Sequence, residues 1–264
     1  MVLEILISTM NRTSLDFLET MFPFETIEEL NILVINQTIQ GSELKSKFAN
    51  LRVINSYEKG LSKSRNLAID NAIGDICLIA DDDIVYVKGF QEVIKTAFEK
   101  YKNTSLIKFK IETFKGNVYK TYPKKSQWLN TYSDINPISS IEIAFIRYDI
   151  TSNKIRFNEL FGLGSTFKSG EESLFLYDIL KSDLKIFFKN EVIVKHSYKS
   201  STVIGSDDYI KVQSVIYFMV YGKISKFYIF KLLFFLLRRK HIKATDLKRK
   251  YFIAKKAIRH YKQL

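Results

Sequence analysis

Cysteine is almost missing from this 264-residue chain: Cys77 stands alone, which excludes a disulfide framework and any cysteine metal cluster. Three prolines and ten glycines exclude collagen-like and linker-rich architectures. Long hydrophobic runs are missing too. The greasiest stretch, 227–237, is eleven residues long and contains Lys231, whereas a bilayer span takes roughly 20 apolar residues. The first residues lack the basic region, long apolar run and small-residue cleavage site of a signal peptide. The expectation is a cytoplasmic protein, with peripheral contact on the inner face of the cell membrane left open. What is present, 46% hydrophobic and 26% charged residues, suffices for one ordinary core with a small appendage and excludes disorder as the default.

Charge is unevenly spread. Residues 238–264 hold eleven Lys or Arg and one acid, Asp246, whereas the first 237 residues hold 30 bases and 27 acids. The basicity therefore belongs to one segment, which points to an anionic membrane surface or a nucleic acid without identifying the chemistry of the body.

Short apolar runs at 2–8, 31–35, 51–54 and 76–80 read as buried strands, and the spacing at 61–72 and 87–101 predicts amphipathic helices. This alternation predicts an α/β fold, a Rossmann-like, mostly parallel sheet flanked by helices. Runs at 106–111 and 141–146 suit a second half of the same sheet. In such sheets ligands bind beyond the carboxyl ends of the strands. The polar residues to examine are thus Ser8, Thr9, Asn36, Gln37 and Asp81 to Asp83. From residue 209 onward the chain becomes rich in Phe, Tyr, Ile and Lys with almost no acid, predicting a helical extension.

Each candidate has a bland reading beside a functional one. Asp81-Asp82-Asp83 leaves a buried strand as three mutually repelling carboxylates. It suits a divalent cation joining one or two carboxylates to substrate phosphates, or else a solvated acidic turn. Gly170-Glu171-Glu172 opens a predicted helix, where acids favour the dipole and need be no more than caps, though one of them could serve as a general base. His196 closes an apolar run, and a lone histidine is more often structural than a ligand. Arg65 and Asn66 could be surface polar residues of their helix.

The joint order is more specific than its parts. Gly60-Leu61-Ser62-Lys63-Ser64-Arg65-Asn66-Leu67-Ala68, followed by Leu78-Ile79-Ala80-Asp81-Asp82-Asp83, resembles the signature of the family 2 inverting nucleotide-sugar glycosyltransferases. The later Ile155-Arg156-Phe157-Asn158-Glu159-Leu160-Phe161-Gly162, then Gly170-Glu171-Glu172 and finally His196, is similar to the rest of that family's pattern over residues 3 to 200. The resemblance implies a GT-A fold spanning 1–205, with a nucleotide-sugar half at about 1–100 and an acceptor half at about 101–205, and the extension at 206–264. It implies Mn²⁺ or Mg²⁺ held by Asp83, Asp81 and His196. It implies donor contacts at Ser8, Thr9, Arg12, Asn36, Arg65, Asp81 and Asp82. It makes Glu172 the catalytic base with Glu171 beside it, Glu standing where many relatives have Asp.

The aromatic segment 114–132 is expected to supply an acceptor platform, with Trp128 and Tyr132 facing a glycan or lipid-linked glycan acceptor. The extension, 227–264, is expected to reach an anionic membrane surface, to cap the globule, or to form a homo-oligomer contact. Two other functions compete. A nucleotidyltransferase also uses strand-end aspartates with a metal, but does not require the downstream glutamates and His196. Nucleic-acid binding fits the net charge; confinement of the bases to one segment, without a recognition motif, speaks against it.

Overall fold

The computed structural model describes residues 1–197 and 203–264. Strand β1 (Leu3–Met10) leads through the short helix α1 (Phe17–Met21) to β2 (Asn31–Gln37) and β3 (Leu51–Ser56), then helix α2 (Leu61–Asn71) returns the chain to β4 (Ile76–Asp81). These four strands are parallel, in the order β3-β2-β1-β4. Their near-continuous apolar sequence suits strands covered on both faces. In β4, Leu78 and Ala80 join one core with Ile5, Ile7, Ile32 and Val34, and Cys77 and Ile79 join the opposite core with Leu6, Leu33 and Ile35.

After β5 (Val85–Tyr86), helix α3 (Phe90–Lys100) buries Phe90, Ile94 and Phe98 against the first core. The sheet then continues with β6 (Leu106–Thr113) and β7 (Gln127–Leu129). Helix α4 (Tyr132–Ile135), β8 (Ile143–Ile146) and helix α5 (Arg147–Ser152) follow. Helix α6 (Glu171–Lys181) precedes β9 (Ile186–His196). Among the described residues the full sheet has nine strands, in the order β3-β2-β1-β4-β8-β6-β9-β5, with β7 also on β9. Antiparallel pairing enters at β8, while β6 and β9 run parallel. Helix α6 supplies Phe175, Leu176 and Ile179 to the second core. Truncating one such side chain to Ala costs on the order of 3–5 kcal/mol for a phenylalanine.

Three further helices complete the chain: α7 (Asp207–Tyr221), α8 (Ser225–Arg238) and α9 (Leu247–Tyr261). Helix α7 begins at Asp207, two residues before the change of composition at 209, because Ser206 caps it, accepting a hydrogen bond from the Tyr209 N–H. The three helices share a small core of Ile210, Ile229, Leu232, Leu233, Leu236 and Ala254. A separate cluster joins them to the body: Val212, Val215 and Ile216 pack with Phe161, Phe167 and Leu174. Buried Lys250 ties α9 to the start of α7, its Nζ donating to the Gly205 carbonyl and to Asp207, each at 2.6 Å. The extension thus caps the globule through a packed interface. No helix among the described residues is long and apolar enough to cross a membrane.

Candidate active site

Strand register brings the first candidates together. Ser8 lies beside Asp81 and Thr9 beside Asn36 at the carboxyl edge of the parallel sheet. Gly60 caps α2 at φ 129°, and α2 carries Ser64 and Arg65 under this edge. Ser64 donates to Ser8 at 2.9 Å. The Arg65 side chain, only 2% exposed, is the centre of the site. One of its terminal nitrogens donates to Asp81 Oδ1 at 3.1 Å and to Ser140 Oγ at 2.7 Å. The other donates to Glu171 Oε1 at 3.0 Å and lies 3.6 Å from Glu172 Oε1. The Phe157 ring, 5.4 Å away, backs the guanidinium. One side chain therefore joins the strand-end acids to the acids at the start of α6.

The three aspartates part company. Asp82 accepts from Thr9 Oγ1 and from Arg12 Nε, the latter at 2.8 Å. Asp83 faces His196: Nε2 lies 3.4 Å from Asp83 Oδ2, and Nδ1 lies 3.2 Å from the Tyr119 hydroxyl. This pairing follows from β5, whose Val85 and Tyr86 pair with Lys195 and Val194 of β9. The Asp83 carboxyl is held below its usual range chiefly by the bond to His196, and that bond in turn raises the imidazole against the opposing effect of burial.

Glu171 and Glu172 stand in the first turn of α6. Gly170 supplies the left-handed backbone (φ 94°) that turns the chain into the helix, and a Cβ there would meet Ile216 Cδ1 of α7 at 2.6 Å. Glu171 is buried on Arg65, and its second oxygen has no hydrogen-bond partner among the described residues. Glu172 keeps 19% of its side chain exposed. Burial first, then the neighbouring Glu171 charge, push its carboxyl up to about 8 against the pull of Arg65. For Arg65, burial disfavours the charge, but Asp81, Glu172 and Glu171 together outweigh it and keep the guanidinium protonated.

Arg65, Asp81, Glu171 and Glu172 line one cleft of about 800 Å³. Tyr132 also lines it; Trp128 does not, being at the sheet edge with its ring edge-on to Phe187. Asn36 is fully buried, and its amide is taken up by the Arg12 backbone and by Asn55. It braces the loop carrying Arg12, so its amide faces inward. Asp81, Asp83 and His196 do not gather as one set either, since Asp81 turns to Arg65 while Asp83 turns to His196; no group of three or more potential metal-ligating side chains exists among the described residues.

The far wall of the cleft comes from the extension: Tyr217 and Tyr221 of α7, and Tyr228, Lys231 and Phe235 of α8. Tyr221 and Tyr228 stack at 3.6 Å, and Tyr132 meets Tyr221 edge-on at 6.0 Å. Sequence reasoning assigned these tyrosines to the appendage. The available signal was the density of Tyr in 209–228, but nothing local ties it to Glu172. Ser140, which holds Arg65, also lacked any motif.

No protein-family model matches the sequence, and no curated protein does. Solved structures do match. The S. aureus TarS structure superposes with TM-score 0.58 at 17% identity over 93% of this chain. TarS 1–349 in complex with UDP gives 0.61 at 16% identity, covering 96% of this chain and 81% of that one. The UDP-GlcNAc complex gives 0.63 at 16% identity, covering 96% and 79%. This chain has the GT-A glycosyltransferase fold. It spans 45% of the longer TarS chain, so it matches less than half of that protein. Within the GT-A fold seen here, the cleft opens at the carboxyl edge of the parallel strands, where α/β sheets bind ligands.

Proposed function

We propose that the protein is a metal-dependent inverting glycosyltransferase. It would move a sugar from a nucleoside-diphosphate donor to a hydroxyl of a glycan or lipid-linked glycan, in surface polysaccharide synthesis. The observation that carries this reading is the Arg65 junction, which gathers Asp81, Glu171 and Glu172 on one cleft. The UDP and UDP-GlcNAc complexes of the TarS neighbours support a nucleotide-sugar donor.

In this mechanism Glu172, partly open to the cleft, takes the proton of the acceptor hydroxyl. The acceptor oxygen attacks the anomeric carbon from the face opposite the diphosphate, forming one C–O bond as the other breaks, without a covalent sugar–enzyme intermediate. Glu171, buried and fixed by Arg65, holds its charge beside Glu172; its second oxygen stays unsatisfied, at a cost of about 1–3 kcal/mol. Ser8, Thr9 and Arg12 border the donor side through their bonds to Ser64 and Asp82. Asp83 and His196 fit a cation that arrives with its substrate, because hard divalent ions take few protein ligands when phosphates supply the rest. When bound, Mn²⁺ or Mg²⁺ neutralises charge on the departing diphosphate.

The test is a panel of nucleotide sugars, read by thermal stabilisation and by release of nucleoside diphosphate, with Mn²⁺ and with a chelator. The expected result is saturable, Mn²⁺-dependent stabilisation by one donor class. Binding of no nucleotide sugar, or nucleotidyl release in its place, would overturn the reading.

A further inference from the structure

The outer face of α8 is apolar where a solvent-facing helix is ordinarily polar. Its inner face buries Ile229, Leu232, Leu233 and Leu236. The opposite stripe carries Phe227, Phe230 and Phe234, exposed by 67%, 55% and 67%. Positions i, i+3 and i+7 lie on one helix face. One turn beyond Phe227 and Phe234 on the same stripe stand Lys231 and Arg238, both exposed. Phe230 stacks on Tyr251 of α9 at 4.8 Å. Lys248 and Lys255, exposed and a turn either side of Tyr251, therefore flank the aromatic face. Acids are nearly excluded from this surface, Asp246 being the one carboxylate side chain in 225–264.

Aromatic side chains in a row, rimmed by long bases, match the chemistry of a bilayer interface with anionic headgroups: rings enter the acyl boundary and bases meet phosphates. A nucleic acid would engage the bases but leave three phenylalanines in water. A protein partner would need acidic complementarity together with a large apolar patch. The neighbouring flank of the same helix, Tyr228, Lys231 and Phe235, lines the cleft that holds Glu172. We infer that α8 docks on an anionic lipid surface through Phe227, Phe230 and Phe234, so that the cleft takes its acceptor as the headgroup of a membrane-borne amphiphile. This deepens the glycosyltransferase reading by naming the acceptor class, and the docking itself stands apart from it.

The experiment is flotation of the full chain with vesicles of phosphatidylcholine alone or with 30% phosphatidylglycerol. It is repeated on a Phe227→Ser, Phe230→Ser, Phe234→Ser variant and on a Lys248→Glu, Lys255→Glu variant. Binding is expected only with the anionic lipid, weakening with salt, and each variant should lower the partition coefficient by about tenfold or more. Donor stabilisation by nucleotide sugar with Mn²⁺ is measured in parallel. It should be unchanged in both variants, since none of these residues lines the cleft, and its retention reports that they fold. Wild-type binding to neither vesicle, equal binding by the phenylalanine variant, preference for duplex DNA over anionic vesicles, or a dimer that the phenylalanine variant splits would each overturn the inference. Lost donor binding with intact flotation would instead sink the enzymatic reading alone.

Discussion

Asp81, Asp82 and Asp83 leave one strand in a single turn, yet each carboxylate turns to its own partner: Arg65, Thr9 with Arg12, and His196. Glu171 and Glu172 open one helix and share one guanidinium. The result is divergence within a single functional group. Asp83 is stabilised as an anion by its histidine, whereas Glu172 is driven toward holding a proton by burial and a like charge. The two environments push the acids apart, so Asp83 and Glu172 lose their protons in different pH ranges.

The sharpest way to break this comparison is Glu172→Gln. Transfer to acceptor should fall about 10²–10⁴-fold while donor affinity, followed by calorimetry, stays near wild type. Unchanged turnover would strip Glu172 of its role. Next is Arg65→Leu, which leaves Glu171 buried without its cation. Urea unfolding should register a loss of about 3–5 kcal/mol, and a loss below about 1 kcal/mol would show that the two clusters do not depend on their common tether.

A smaller effect sharpens the glutamate side. If deprotonated Glu172 is the active form, kcat/KM rises with pH, is half-maximal where the raised carboxyl titrates, at about 8, and levels only above that. Glu171→Gln removes the like charge, so the rising limb moves to lower pH; a limb that stays put would separate it from Glu172. The smallest expected effect tests the aspartate side. His196 is raised in the folded protein, so its stabilising contribution is complete below its unfolded value and is lost as pH rises through the folded one. Asp83 is lowered, so its contribution is present above its unfolded value and is lost as pH falls through the folded one. The pair is worth most between these limits, by under about 1 kcal/mol because Asp83 is 64% exposed. Urea midpoints across pH 3 to 9 should show a shallow maximum that Asp83→Asn flattens.

The parallel half of the sheet was legible because local signals agreed there: apolar runs stop at polar residues, and those residues mark the ligand edge. Thus β1, β2, β3, α2 and β4 fall where the pattern predicts, within the latitude of element ends. The two-residue β5 and three-residue β7 were not legible, since so short a run carries no period and forms only by pairing with β9. The convergence of 65, 81, 171 and 172 rested on motif order, and the fold brings them together. Trp128 and Asn36 went elsewhere because residue type does not reveal which way a side chain turns. The tyrosines of α7 and α8 were invisible as cleft residues because tertiary packing across a small apolar cluster, Val212 and Ile216 on Phe161 and Phe167, decides where that wall stands.

Ile216 fills the space directly above Gly170, where the chain enters α6. A chimera that grafts a different extension onto this body would therefore disturb the first turn holding both glutamates, even with every motif intact. Recombining chains of this fold calls for a crossover upstream of residue 157, so that the loop, helix α6 and the three final helices travel together.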